Sequence, residues 1–234
     1  TDFTESAVTL RGTVNPLDRW TLSLLVGNGR DDQESFYDDP TSDDGRTFVS
    51  RFDTERRHAS LQSDFEITEA QALTLGVDYF DDRVDSTTEF DARSRDNVGV
   101  FAQYQIQLGP HRCAPSARRD DNEQFGDYET GSAGWKWAVS EHWFVTAGWG
   151  RAFGAPTFND LYYPGFSNPS LDPETSNSYE VGLGWSSASF SIAVAAFENR
   201  IDDLVVYDAS VFVPYNLNTA RIRGIEKDLA ATFG

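Results

Sequence analysis

Val98, Val100, Ala102, Tyr104 and Ile106 alternate with Gly99, Phe101, Gln103, Gln105 and Gln107. This period of two constrains the fold more than any other feature of the chain. Successive side chains of a strand point to opposite faces, so such a run separates apolar from polar residues only when it is extended. Three glutamines on one face do not suit a dry core, because a buried polar group without a partner is costly. The pattern recurs. Val8, Leu10 and Val14 alternate with Thr9, Arg11 and Thr13. Leu73, Leu75, Val77 and Tyr79 oppose Thr74, Gly76 and Asp78. Trp143, Val145, Ala147 and Trp149 share one face, and Tyr179, Val181, Leu183 and Trp185 oppose Glu180, Gly182 and Gly184. Few segments carry a helix period. No run of about 18 apolar residues exists, which excludes a membrane-spanning helix but not a membrane barrel, whose strands alternate.

The connections between these runs alternate in length: 15–18 short, 29–46 long, 68–71 short, 81–96 long, 140–142 short, 153–175 long and 186–188 short. The long segment after Arg151 holds Pro156, Pro164, Pro169 and Pro173 among many aromatics. Proline fixes φ and lacks an N–H, so this segment is expected to be an ordered loop and neither a regular helix nor a central strand. Trp135, Trp137, Trp143, Trp149, Tyr179 and Trp185 fall toward strand ends on the apolar side. Turn asymmetry and aromatic girdles together predict an all-β, antiparallel transmembrane β-barrel in which the apolar face meets lipid. Residues 109–119 (GPHRCAPSARR) break the pattern; Pro110 and Pro115 predict an edge, a bulge or disorder there. The last strand is expected at Ala220–Phe233, after a loop containing Val213-Pro214-Tyr215-Asn216.

The chain carries 19 Lys+Arg against 38 Asp+Glu, a net charge of -19. That sign argues against nucleic acid as a partner. Acidic pairs at Asp31-Asp32, Asp38-Asp39, Asp43-Asp44, Asp81-Asp82, Asp120-Asp121 and Asp202-Asp203 read as solvated loops. A hard cation such as calcium, which prefers carboxylate oxygens, is the sharper reading of some of them. A single cysteine, Cys113, allows no internal disulfide. Position 1 is not methionine, which leads to the expectation that the chain starts inside a longer precursor, and no signal peptide is visible. His58, His111 and His142 are scattered, with no catalytic or zinc spacing and no phosphate-binding glycine loop nearby.

Two stretches carry a resemblance. RAFGAPTFNDLY and NPSLDPETSNSYEVGL at 151–185, and NLNTARIRGIE at 216–226, are similar to the barrel of the TonB-dependent outer-membrane receptors, most of all to the cobalamin receptors among them. The resemblance implies active uptake of cobalamin or another scarce metal chelate such as a siderophore. It implies the outer membrane of a Gram-negative bacterium, and energy from TonB through a plug domain. It also implies a 22-stranded barrel, of which this chain would supply about 11–12 strands as a partial transmembrane barrel over 1–234, without the plug and C-terminal strands. An acidic outer loop of the cobalamin receptors matches Phe36-Tyr37-Asp38-Asp39-Pro40. The match implies that Tyr37 touches ligand and that Asp38 and Asp39 offer oxygens to calcium. Tyr162, Tyr163 and Phe166, at the apex of the proline-rich loop, are the other candidate ligand contacts. Two other readings compete: a soluble β-sandwich binding module with a tryptophan-rich face, and an outer-membrane barrel hydrolase. No catalytic group is assigned.

Overall fold

The computed structural model describes residues 1–42, 45–210 and 212–232. Asp43 and Asp44, one of the acidic pairs above, and Phe233 lie outside the described residues. Among the described residues the chain forms one sheet of eleven antiparallel strands, each paired with its sequence neighbours. They are β1 (Asp2–Leu17), β2 (Trp20–Asp38), β3 (Arg46–Thr68), β4 (Gln71–Ser86), β5 (Ser94–Leu108), β6 (His111–Asn122), β7 (Gly126–Ala138), β8 (Trp143–Gly154), β9 (Glu174–Ser186), β10 (Phe190–Asp208) and β11 (Val213–Ala231). One helical turn, α1 (Phe158–Tyr162), interrupts the β8–β9 connection. Among the described residues no second sheet covers the tryptophan-bearing face, and Trp143 stands 47% exposed on it. The β-sandwich reading required such a sheet. The all-β barrel architecture expected from the alternation is the one observed, as an open sheet.

Register sorts the side chains. Trp20 faces Phe65, Phe65 faces Leu73 and Leu73 faces Tyr104, a row of large apolar residues across four strands at the short-turn end. Trp143 faces Trp185 at that same end, and Trp149 faces Tyr179 six residues further along. Six residues of strand span about 20 Å, and the valine- and leucine-rich stretches lie between the two aromatic rows. His111 stacks on Trp135 and Trp137 with centroids at 5.8 and 5.7 Å, which thickens the lower row.

Beyond the upper row the strands continue as a charged lattice. Here the structure corrects the expected long loops at 29–46 and 81–96. β2 runs to Asp38 and β4 to Ser86, leaving short connections at 39–45 and 87–93. Arg30 pairs in register with Glu55, and Glu55 with Arg83. Arg51 bonds Asp85 at 2.8 Å and Arg83 bonds Asp81 at 2.8 Å. Where both faces are polar the alternation in hydrophobicity ends, yet the backbone ladder does not. Exposed pairs of this kind contribute only about 0.2–1 kcal/mol each, so the ladder itself carries the extension.

Within 109–119, residues from His111 onward are a strand, contrary to expectation. β6 pairs with β7 without a break from His111 to Asn122. Its ladder with β5 skips Tyr104 and Gln105 but resumes in the same register, Gln103 facing Ser116 and Ile106 facing Cys113. The gap lies opposite Pro115, which has no N–H to give. The proline therefore removes a rung and leaves the strand in place. The last strand likewise begins earlier than expected, at Val213, and Pro214 is fully buried at its start.

The polar face has its own packing device. Phe101 faces Gly76, Phe144 faces Gly184 and Phe197 faces Gly224, and each ring lies over its glycine. A Cβ at any of the three would overlap that ring. Gly184→Val is expected to destabilise the folded protein by about 1–3 kcal/mol through overpacking, and Phe144→Ala in the same chain to recover part of the loss. Denaturant midpoints measure both; a Gly184→Val midpoint equal to wild type would refute the packing role.

Candidate functional site

The main apolar core among the described residues lies under the β8–β9 connection. Leu161 is 0% exposed, and Phe158, Leu171, Val84 and Phe90 are buried with it. The connection is built locally before it packs. Thr157 caps α1: its hydroxyl accepts from the Asp160 amide at 3.2 Å, while the Thr157 amide donates to the Asp160 carboxylate at 3.0 Å. Pro164 closes the helix, and Gly165 follows with φ +79, a value that costs glycine nothing. The expectation of a loop without regular helix is thus corrected to one turn held between Pro156 and Pro164.

Long-range bonds then tie the loop across the polar face. Arg95 Nη1 donates to the Pro156 carbonyl at 3.0 Å. Gln124 donates to the Tyr162 hydroxyl at 2.7 Å. Asn168 donates to the Pro214 carbonyl at 3.1 Å. Asn216 binds the Asp172 backbone in both directions at 2.9 Å and donates to the Asp203 carbonyl at 2.6 Å. The loop therefore spans from β4 and β5, past the β6–β7 hairpin, to β11.

Two features of this roofed region can meet a ligand. The first is an aromatic ledge. Phe52, Phe90, Tyr163, Phe166, Phe212 and Tyr207 follow one another at ring separations of 5.9–6.5 Å. Tyr163 and Phe166 are 40% and 48% exposed. The second is a pair of cavities of about 430 and 420 Å³ that share Arg56, Asp82, Arg95 and Ala155. Arg56 grips Asp82 through two bonds of 2.6 and 2.8 Å. Arg118 bridges Asp78 at 2.6 Å and Asp120 at 2.8 Å.

The expected site residues divide accordingly. Tyr163 and Phe166 stand on the ledge. Tyr162 is turned into the core, packed against Val84, Phe90 and Phe158. Tyr37 is 57% exposed at the end of β2, paired with Thr47. Asp38 faces Arg46. Asp39 accepts from the Thr41 amide at 2.9 Å and hydroxyl at 2.6 Å, and from Thr47 at 2.7 Å. Among the described residues nothing joins these three to the roofed region, and no group of three or more His, Cys, Asp or Glu is placed to hold a metal ion. The Asp39 carboxylate closes its hairpin through the bonds from Thr41 and Thr47. Arg95 was not foreseen, although the alternation Arg95, Asn97, Gly99, Phe101 extends the polar side of β5 back to it.

Comparisons with known proteins agree with the fold. A family model described as TonB dependent receptor-like, beta-barrel, covers residues 1–234. This chain belongs to the TonB-dependent receptor family. It is 30% identical over 217 residues to the vitamin B12 transporter BtuB of Photobacterium profundum, covering 89% of this chain and 35% of that protein. It matches BtuB of Vibrio vulnificus to the same extent. The chain thus spans about a third of the length of these curated relatives. Among solved structures it resembles a mutant of the ferric enterobactin receptor PfeA from Pseudomonas aeruginosa, with a TM-score of 0.80 at 16% identity, covering 97% of this chain and 41% of that one. That likeness concerns the fold.

In this receptor chain the roof depends on Leu161. Leu161→Ala is expected to cost about 2–5 kcal/mol locally and to raise amide exchange across 157–171 while leaving β3–β5 protected; unchanged exchange there would show that the roof does not rest on this contact. The hydrogen bonds from Thr41 and Thr47 hold the Asp39 carboxyl below the usual carboxylate range. Because the folded value lies below the unfolded one, the contribution is complete at neutral pH and is lost as pH falls through the folded value. The protection factor of the Thr41 amide, which corrects for the intrinsic pH dependence of exchange, should fall in acid for wild type and be low at all pH in Asp39→Ala.

Proposed function

We propose that this chain forms wall and outer loops of an outer-membrane active-transport receptor, energised by TonB through a plug domain and specific for cobalamin. The reading is carried by one observation, a single sheet whose exposed apolar face is framed by aromatic rows. Such a face in water would be an association surface; against hydrocarbon it is solvated. The strands of 12–23 residues exceed the about 9–11 that a tilted strand needs to cross a bilayer. The short turns then lie on the periplasmic side and the roofed region outside. In hydrocarbon the free edges of β1 and β11 require further strands beside them, since unpaired backbone groups there cost several kcal/mol each.

The order of ligands follows the comparisons. Relatives named as vitamin B12 transporters share 30% of residues, whereas a ferric siderophore or other chelate is suggested by structures too distant in sequence to speak to cargo. The aromatic ledge suits either. Amphipathic rings offer large contact area to a bulky ligand arriving from water. In this reading Tyr163 and Phe166 make first contact and the cavities beneath receive what passes the ledge.

The test is equilibrium binding of cyanocobalamin to the intact receptor that carries this chain, in detergent or outer-membrane vesicles. Phe166→Ala and Tyr163→Ala are each expected to weaken binding by about 2–10-fold. If the wild-type receptor binds neither cyanocobalamin nor a ferric siderophore, the uptake assignment is lost.

A further inference from the structure

On the face that carries the tryptophans, most arginines beyond the aromatic rows have a carboxylate of their own. Arg57 bonds Glu55 at 3.0 Å, Arg83 bonds Asp81 at 2.8 Å and Arg119 bonds Asp127 at 2.8 Å. Strands β8 to β11 differ. Register carries one row from Arg151 through Asn177 and Arg200 to Arg221. A second row, two residues nearer the short turns, runs Trp149, Tyr179, Glu198, Arg223. Strand alternation places both rows on the same face. The four arginines are exposed, and they share two carboxylates. Glu198 lies 3.5 Å from Arg221 and 2.7 Å from Arg223, and Asp202 lies 3.2 Å from Arg200. Among the described residues no carboxylate lies at ion-pair distance from Arg151; Glu129, on the neighbouring β7, stands opposite Arg119. A chain of net charge -19 thus carries an excess of positive charge at this one place on its outward face.

The surroundings of the patch fix what it can bind. Toward the short turns the same face continues as Val181 and Leu183, both exposed, with Trp149 and Tyr179 between them and the arginines. Amphipathic rings of this kind settle at the headgroup level of a bilayer, and basic side chains just beyond that level meet anionic headgroups. Guanidinium forks match phosphate oxygens in particular. The order along the wall is therefore apolar surface, aromatic ring, cationic fork, which is the order of acyl chain, glycerol or sugar backbone, and phosphate in an anionic lipid.

We infer that β8 to β11 seat a phosphate-bearing membrane lipid on the outward wall, its phosphates against Arg151, Arg200, Arg221 and Arg223 and its acyl chains along Val181 and Leu183. The site lies on the opposite face of the sheet from the roofed region and is separate from cargo. The inference goes beyond the uptake reading and rests only on its placement of this face in a membrane.

The experiment titrates the intact receptor, in non-ionic detergent, with lipid A carrying both phosphates and with the same lipid A after phosphatase treatment, and counts bound lipid by native mass spectrometry. Two double variants are compared with wild type, Arg151→Gln with Arg200→Gln and Arg221→Gln with Arg223→Gln. Circular dichroism melting shows that each is folded. Each pair is expected to weaken binding of the phosphorylated lipid about 10–30-fold, on the scale of two basic side chains at an anionic membrane surface. Arg119→Gln, on the same face but matched by Asp127, is expected to leave it unchanged. Dephosphorylated lipid A is expected to bind wild type and variants alike. Equal binding of phosphorylated lipid A to wild type and both double variants overturns the inference and leaves the uptake reading standing. An equal loss in Arg119→Gln overturns it too, since any arginine would then serve. Displacement of the lipid by inorganic phosphate alone overturns the lipid assignment in favour of a free anion. A receptor that is monodisperse without detergent removes the membrane placement, and with it both readings.

Discussion

Among the described residues every strand of this receptor chain pairs through its backbone with its neighbours in sequence, and all else in the structure depends on that antiparallel ladder. Each rung adds about 0.5–1.5 kcal/mol net, which is small, but the register it sets is absolute. A slip of one residue would move every tryptophan to the polar face and every glutamine to the apolar one. Pro115 shows how much local damage the ladder tolerates. Two rungs to β5 are missing, yet Gln103–Ser116 and Ile106–Cys113 keep the same offset, because β7 holds the strand from its other side.

A sheet of this kind has two surfaces and little interior. Among the described residues nothing packs over the apolar surface, so its environment must stabilise it from outside. The polar surface is stiffened instead by rings laid over glycines, at Gly76, Gly184 and Gly224, and by arginines that span strands. Among the described residues the main core lies where the β8–β9 connection crosses the sheet: Phe158 packs with Val84 and Phe90, and Leu161 and Leu171 are buried in the same connection. That small cluster is why this connection is ordered. It is also why the cavities beneath it have a roof.

The sequence reading succeeded where one face was oily and failed where neither was. Val98–Gln107 announced itself because hydrophobicity alternates. Arg30, Glu55 and Arg83 form an equally regular row across three strands, but opposite charges on neighbouring strands leave no periodic trace along any one of them, so 29–46 and 81–96 read as loops. Residues 109–119 misled because proline was weighed as a breaker; in a sheet it removes one donor, and the loss is local. At the site, Tyr163 and Phe166 were legible as aromatics stranded in a proline-rich loop. Tyr162 was not separable from them, since one residue's rotation along α1 decides between core and solvent. Arg95 was invisible because its partner, the Pro156 carbonyl on a distant loop, is brought to it only by the fold. Asp38 and Asp39 sit at a hairpin tip, where Asp39 accepts from Thr41 and Thr47.

The choice of cation completes the physical picture. All but two of the 19 cationic residues are arginine. A lysine is a point charge on a flexible stem, whereas a guanidinium fork bonds two acceptors in fixed geometry. Arg118 uses that property to join Asp78 on β4 to Asp120 on β6, lying across Gly99 on the strand between, and Arg56 uses it to hold Asp82 with two bonds. Arg95 uses the same rigidity to pin the roof to β5: it donates to the Pro156 carbonyl at 3.0 Å, and its guanidinium lies 5.2 Å from the centroid of Phe158 and 5.8 Å from that of Phe125.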